Sequence, residues 1–165
     1  MDQQLAEYVS ARWPALVRYA TVVCGDAAEG EELAQAALVR VASRWRVLHD
    51  RHDIDAYVRT AIVNGHLNKR QRLWRREERV GSTPQVVVAD ASDRVGRGVD
   101  IRRALAALPP RQRAVLALRY LDDQSEAQTA AILGCSVGTV KSQASKALAT
   151  LRESFPELTD QEVPV

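Results

Sequence analysis

Apolar residues return along this chain with a helical beat almost from end to end. Leu5, Val9, Leu16, Ala20 and Val23 outline an opening segment. Pro14 interrupts it and is expected to bend the helix or start a new one. Gly25 closes the segment, and Asp26 with Glu29 reads as a capping box for the next helix. There Leu33, Ala37, Val41 and Trp45 keep a four-residue stride, which predicts one buried face as far as about Arg46. The polar run HDRHDID breaks the pattern. A longer helix is predicted from about Asp53, with Tyr57, Val58, Ala61 and Ile62 inward, running on into a basic stretch. From Gly81 to Gly98 the residues GSTPQVVVADASDRVGRG lose the period and read as a linker. Ile101, Leu105 and Leu108 then share a face, and the tail after Pro156 is expected to fray. The expected fold is all-α, with two small helical domains at 1–79 and 99–155, a flexible connector at 80–98 and a tail at 156–165.

The sharpest local pattern is SEAQTAAILGCSVGTVKSQASKALATLRE, from Ser125 to Glu153. Ser125 with Gln128 forms a capping box for one helix, and Ser136 is placed to cap a second. Ala130 lets the two helices cross closely, Gly134 accepts the positive φ of a tight turn, and Val140 locks the second helix on the first. Along that second helix Val140, Ala144, Ala147, Leu148 and Leu151 make one apolar stripe, leaving Thr139, Ser142, Ser145 and Lys146 outward. Such a helix-turn-helix suits the DNA major groove, where hydroxyls and amides meet base edges and Lys meets phosphate. An ordinary helical hairpin with a solvated outer face has the same spacing.

Charge changes the picture through its distribution. The net charge is only +2, but Arg59, Lys69, Arg70, Arg72, Arg75 and Arg76 fall in a stretch with no acid, while Glu29, Glu31 and Glu32 form an acidic run. Cys24 and Cys135 stand far apart without ligand-spaced neighbours and read as reduced thiols. No signal segment and no apolar run of membrane-spanning length is visible, so a cytoplasmic protein without membrane insertion is expected. His49, His52 and Asp53 suggest a metal-binding His-Asp pair, but the only other histidine is His66, inside the basic helix. With no phosphate loop, nucleophile elbow or paired His and Cys, the chain is expected to be no enzyme and to use no cofactor, metal or small-molecule substrate.

The segment LALRYLDDQSEAQTAAILGCSVGTVKSQASKALATLRE, with ALAALPPRQRAVLALRY before it, resembles region 4 of bacterial RNA polymerase sigma factors of the extracytoplasmic-function type, close to the sigma-E subfamily. The family usually reads Gly-Thr-Val-Lys-Ser-Arg, and Gln143 stands here in place of the Arg. AAEGEELAQAALVRVASRW is similar to region 2, whose Asp-Ala-Glu-Asp-Leu-Val-Gln-Glu pattern binds the coiled coil of the polymerase β′ subunit. Glu32, Leu33 and Gln35 fit it, whereas Ala36 replaces a Glu. An amphipathic helix with an acidic start, favoured by its dipole, is the plain alternative. DAYVRTAIVNGHLNKRQRLWRR is like regions 2.3 and 2.4, which open and read the −10 promoter element.

The resemblance implies an alternative sigma factor that binds core RNA polymerase through the β′ coiled coil and β flap, recognises promoter DNA and answers to an anti-sigma factor. Its −35 contacts would come from Arg119, Ser136, Thr139, Lys141, Ser142, Gln143, Ser145 and Lys146. Its −10 contacts would come from Asn64, Asn68, Lys69, Arg72, Arg75 and Arg76, with Asp50, Arg51, His52 and Asp53 receiving a flipped base. Amides one turn apart beside phosphate-binding arginines suit capture of unstacked bases. Trp74 either stacks on a base or packs on a neighbouring helix, Tyr57 reads as core, and HDRHDID has a bland surface-loop reading. Arg119 has a plain reading as a surface residue paired with Asp122 or Asp123, and Arg111 and Arg113 either hold phosphates or solvate a helix start. The competing function is a stand-alone dimeric helix-turn-helix regulator, which predicts a ligand-binding or receiver domain with strands upstream.

Overall fold

The computed structural model describes residues 3–48, 54–81 and 97–156, with the backbone alone over 97–101. His49, Asp50, Arg51, His52 and Asp53, the connector over 82–96 and the tail after 156 lie outside the described residues, as does the Ile101 side chain. All regular structure among the described residues is helical. The chain divides into two compact units, Met1–Gln85 and Val86–Val165.

The first unit packs three long helices, α1 (Gln3–Cys24), α2 (Ala27–Ser43) and α4 (Ile54–Val80), with a single turn, α3 (Trp45–Leu48), closing one end. α1 continues through Pro14, so of the two outcomes expected there a new helix start is excluded. The proline is exposed, as is Ser10 four residues earlier, so the carbonyl that loses its amide partner faces water. Ala20, Val23, Ala34, Val41, Val58, Ile62 and Val63 form the core. α1 and α2 cross at Gly30, where a Cβ would stand 2.7 Å from the Thr21 backbone nitrogen. Only hydrogen fits there, which lets the helices approach this closely.

α2 begins at Asp26, whose side chain accepts from the Glu29 amide at 2.8 Å. The expected capping box is half made: the Glu29 carboxylate, instead of turning back to its own helix, reaches α4. α2 stops at Ser43, slightly before the expected end, and Trp45 buries its ring from the separate turn α3.

The second unit holds α5 (Arg97–Ala106), α6 (Pro110–Leu116), a π-helical turn at Ala117–Leu121, α7 (Glu126–Leu133) and α8 (Val137–Ser154). Leu108, Leu116 and Ala147 make one buried cluster, with Leu105, Leu148 and Leu151 packed on it. Val115, Ala130 and Val140 make another. Arg113 overturns its expected surface role. It is 3 % exposed, and its Nη1 donates to the carbonyls of Leu105, Ala106 and Leu108 at 3.1–3.4 Å. The guanidinium thereby satisfies acceptors left open at the end of α5 and the turn after it.

Candidate nucleic-acid interface

In the second unit, local signals build the surface. Ser125 Oγ accepts from the Gln128 amide at 3.1 Å, and the Gln128 side chain accepts from the Ser125 amide at 2.8 Å, a complete capping box. α7 ends at Gly134 with φ of 64°, the left-handed conformation that glycine takes without strain. Ser136 Oγ accepts from the Thr139 amide at 3.1 Å and lies 3.0 Å from the Thr139 hydroxyl, which fixes the start of α8. Ala130 and Val140 meet in the buried cluster between the helices, at the offsets read from the sequence.

α8 turns its apolar stripe inward, with Val140 and Ala147 fully buried. Ser142, Ser145 and Lys146 are exposed, while Thr139 and Gln143 are half-buried. Lys141 lies 3.6 Å from Glu126 across the two helices. Arg119 Nη1 donates to the Gln124 carbonyl and braces the loop into α7. Asp123 in that loop has φ of 49°, a left-handed position that Asp tolerates better than most residues.

In the first unit, contacts distant in sequence build the surface. His66 is fully buried, and its Nδ1 lies 2.9 Å from Glu29 Oε1. That hydrogen bond, with the charges of His66, Lys69 and Arg70, holds the Glu29 carboxyl below its ordinary range despite partial burial. Three residues on, Lys69 Nζ lies 3.4 Å from Glu32 Oε2. At the start of α4, Tyr8 Oη donates to Asp55 Oδ1 at 2.7 Å, and Arg12 Nη2 meets Asp55 Oδ2 at 3.0 Å. Burial, and next the bond to Asp55, push the Tyr8 phenol above its usual range. The Tyr8 ring also lies against Trp45, centroids 5.9 Å apart, so α1 fixes the point where α4 begins.

Asn64 is half-buried and Asn68 exposed, so the two amides differ in access to solvent. Beyond them Arg72, Arg75, Arg76 and Arg79 line one open cleft. Their i, i+3, i+4, i+7 spacing puts four cations on one helix face. Arg79 was passed over in the sequence although its spacing from Arg72 and Arg76 is a readable signal. Trp74 does not settle onto a neighbouring helix; it is 52 % exposed, and its Nε1 donates to Glu78 at 2.7 Å. Tyr57 is half-buried, short of the core position expected for it, and its hydroxyl accepts from Arg44 at 3.5 Å. Glu32 and Gln35 are exposed on α2 and Leu33 is buried, so only two of the three suggested polymerase-facing side chains are open to solvent in this structure.

No group of three or more potential metal ligands occurs among the described residues, and no described helix is long and apolar enough to cross a membrane. Chemically, the surfaces offer hydroxyls, amides and cations, groups that bind polyanions and read base edges.

Residues 98–151 match the family model of sigma-70, region 4. The chain is 36% identical over 156 residues to an RNA polymerase sigma-E factor of Streptomyces coelicolor, covering 92% of this chain and 86% of that protein. It is 35% identical over 158 residues to the ECF RNA polymerase sigma factor SigL of Mycobacterium tuberculosis, again covering 92% and 86%. Among solved structures, the sigma factor RpoE in complex with the anti-sigma factor NepR, from Bartonella quintana, shares the fold with a TM-score of 0.68. That match covers 92% of this chain and 96% of that one, at 23% identity.

Proposed function

From the chain's membership of the extracytoplasmic-function sigma factors of RNA polymerase, we propose how its two units share the work of promoter recognition. The protein binds core RNA polymerase and directs transcription initiation at particular promoters; it is an initiation factor, and the polymerase performs the chemistry. The observation that carries this reading is similarity running through both units, over 92% of the chain. It does not favour a stand-alone dimeric regulator, and the N-terminal unit holds no strand among its described residues.

Residues 1–79 are assigned to polymerase docking and the −10 element, and 99–155 to the −35 element. On α2, Glu32 and Gln35 face the β′ coiled coil, with Leu33 supporting them from beneath. On α4, Asn64 and Asn68 select bases and Lys69, Arg72, Arg75 and Arg76 hold phosphates; ahead of it in the sequence, Asp50, Arg51 and His52 receive a flipped base. On α8, Ser142, Gln143 and Ser145 face the −35 bases and Lys146 a phosphate, with Ser136, Thr139, Lys141 and Arg119 at the margin. Free protein has its cations divided between two units, and core polymerase supplies the spacing that lets both engage one promoter. The place of action is the cytoplasm, and an anti-sigma factor holds the protein inactive by covering these surfaces.

Bidentate amide contacts contribute on the order of 1–3 kcal/mol of base discrimination, whereas arginines on phosphate act on any sequence. Asn64→Ala is therefore expected to reduce opening at the cognate promoter roughly tenfold or more, and Arg72→Ala to weaken all promoters alike. Permanganate reactivity of the −10 region in reconstituted holoenzyme measures both. Unchanged opening by Asn64→Ala on a linear template would remove that residue from the reading surface.

A further inference from the structure

One fully buried ionisable ring has no part in the contacts assigned above. His66 lies on α4 between Asn64 and Lys69, with Nδ1 2.9 Å from Glu29 Oε1 on α2. Glu32 and Lys69 make a second link at 3.4 Å. Just past the other end of α2, Arg44 reaches the Tyr57 hydroxyl near the start of α4 at 3.5 Å, so the two helices run in opposite senses and the buried Glu29–His66 pair belongs to one axial register between them.

Val58, Ile62 and Val63, the buried aliphatics of α4, pack without directional bonds and so tolerate repacking when volume is kept. The polar pair does not. Sliding α4 by one turn would set Ile62 or Arg70 against Glu29. The first leaves the carboxylate without its partner; the second drives a long cation into the space of a buried ring. Fixing register is the best-attested use of a buried polar pair.

We infer that Glu29 and His66 form a register pin: positioning residues that hold α4 at the axial setting which places Asn64 and Lys69 relative to the polymerase-facing residues of α2. The pin rests on the reading of α4 as the −10 helix. It touches neither DNA nor polymerase and acts through the residues it aligns.

The test uses the full chain assembled with core polymerase, reading core affinity and permanganate reactivity of the −10 region side by side. Glu29→Leu and His66→Leu each remove one partner, and the double variant removes both. Each single variant is expected to lose opening by about tenfold, with core affinity within about twofold of the parent and the double variant no worse than either single, because the pair acts as a unit. His66→Asn, whose amide nitrogen stands near the place of Nδ1, is expected to recover most of the opening. Should a single variant fail to fold, the double variant, which buries no lone charge, carries the measurement. Single effects that multiply, a parallel loss of core affinity, or full opening in the double variant would each overturn the pin. Asn64→Ala run in the same series separates the two claims. Opening lost there but kept in the double variant overturns the pin alone; opening kept in both overturns the reading of α4.

Discussion

The two units position their candidate DNA-reading helices by different means. In the C-terminal unit the fixing contacts are short in sequence: Ser125 with Gln128, Gly134 at the corner, Ser136 with Thr139. In the N-terminal unit they span long stretches: Glu29 to His66, Glu32 to Lys69, Tyr8 and Arg12 to Asp55. Local contacts are written beside the structure they form. Long-range contacts exist only once two helices meet, and no residue in either helix announces its partner.

Arg113 is the sharpest challenge to that contrast, because it is a buried bridge inside the locally specified unit. Arg113→Ala is expected to cost about 3 kcal/mol, since it leaves three carbonyls without their charged donor. Thermal unfolding of the full chain, with amide exchange read residue by residue, should place the loss in α5 and α6 and leave α2 and α4 protected. A change spread evenly over both units would show that they are not independent.

Ser136→Ala should cost less, about 1 kcal/mol, by removing the acceptor of the Thr139 amide. Ser136→Asn should restore most of it. If the alanine variant lost nothing, the local cap would be dispensable and packing of Val140 alone would hold α8.

The smallest effect is expected on the long-range side, in acid. The Glu29 carboxyl is held below its ordinary range in the folded state, chiefly by the His66 hydrogen bond. Its contribution is therefore fully present above the usual glutamate value of about 4.3 and is lost as pH falls through the lower folded value. Partial solvent screening keeps it modest. Glu29→Gln should flatten that part of the pH–stability curve, and an unchanged slope would remove the pair from the acid response.

How much was legible follows the same division. The helix-turn-helix could be read to the residue, because caps, turn glycine and stripe are all signals a few positions apart. Glu29 was read as half of its own helix's box, and His66 as one more position in a basic helix, because their bond spans 37 residues. Arg113 was misread for a related reason: an arginine after Pro-Pro looks solvent-bound until α5 arrives above it. Pro14 starts no new helix because the rule against proline in helices weakens where the freed carbonyl faces water. Trp74 was undecidable from sequence, since packing and exposure leave the same letter.

The π-helical turn at Ala117–Leu121, closed by the Asp122 amide on the Ala117 carbonyl at 3.1 Å, has a consequence of another kind. Such a turn is an α-helix with one residue spliced in. Removing that residue would restore regular geometry while rotating everything after it by about 100° around the axis. The chain could keep every side chain of α7 and α8 and still aim them at the wrong side. In this short stretch, length is as much a part of the specification as composition, and a single-codon deletion would do more harm than most substitutions.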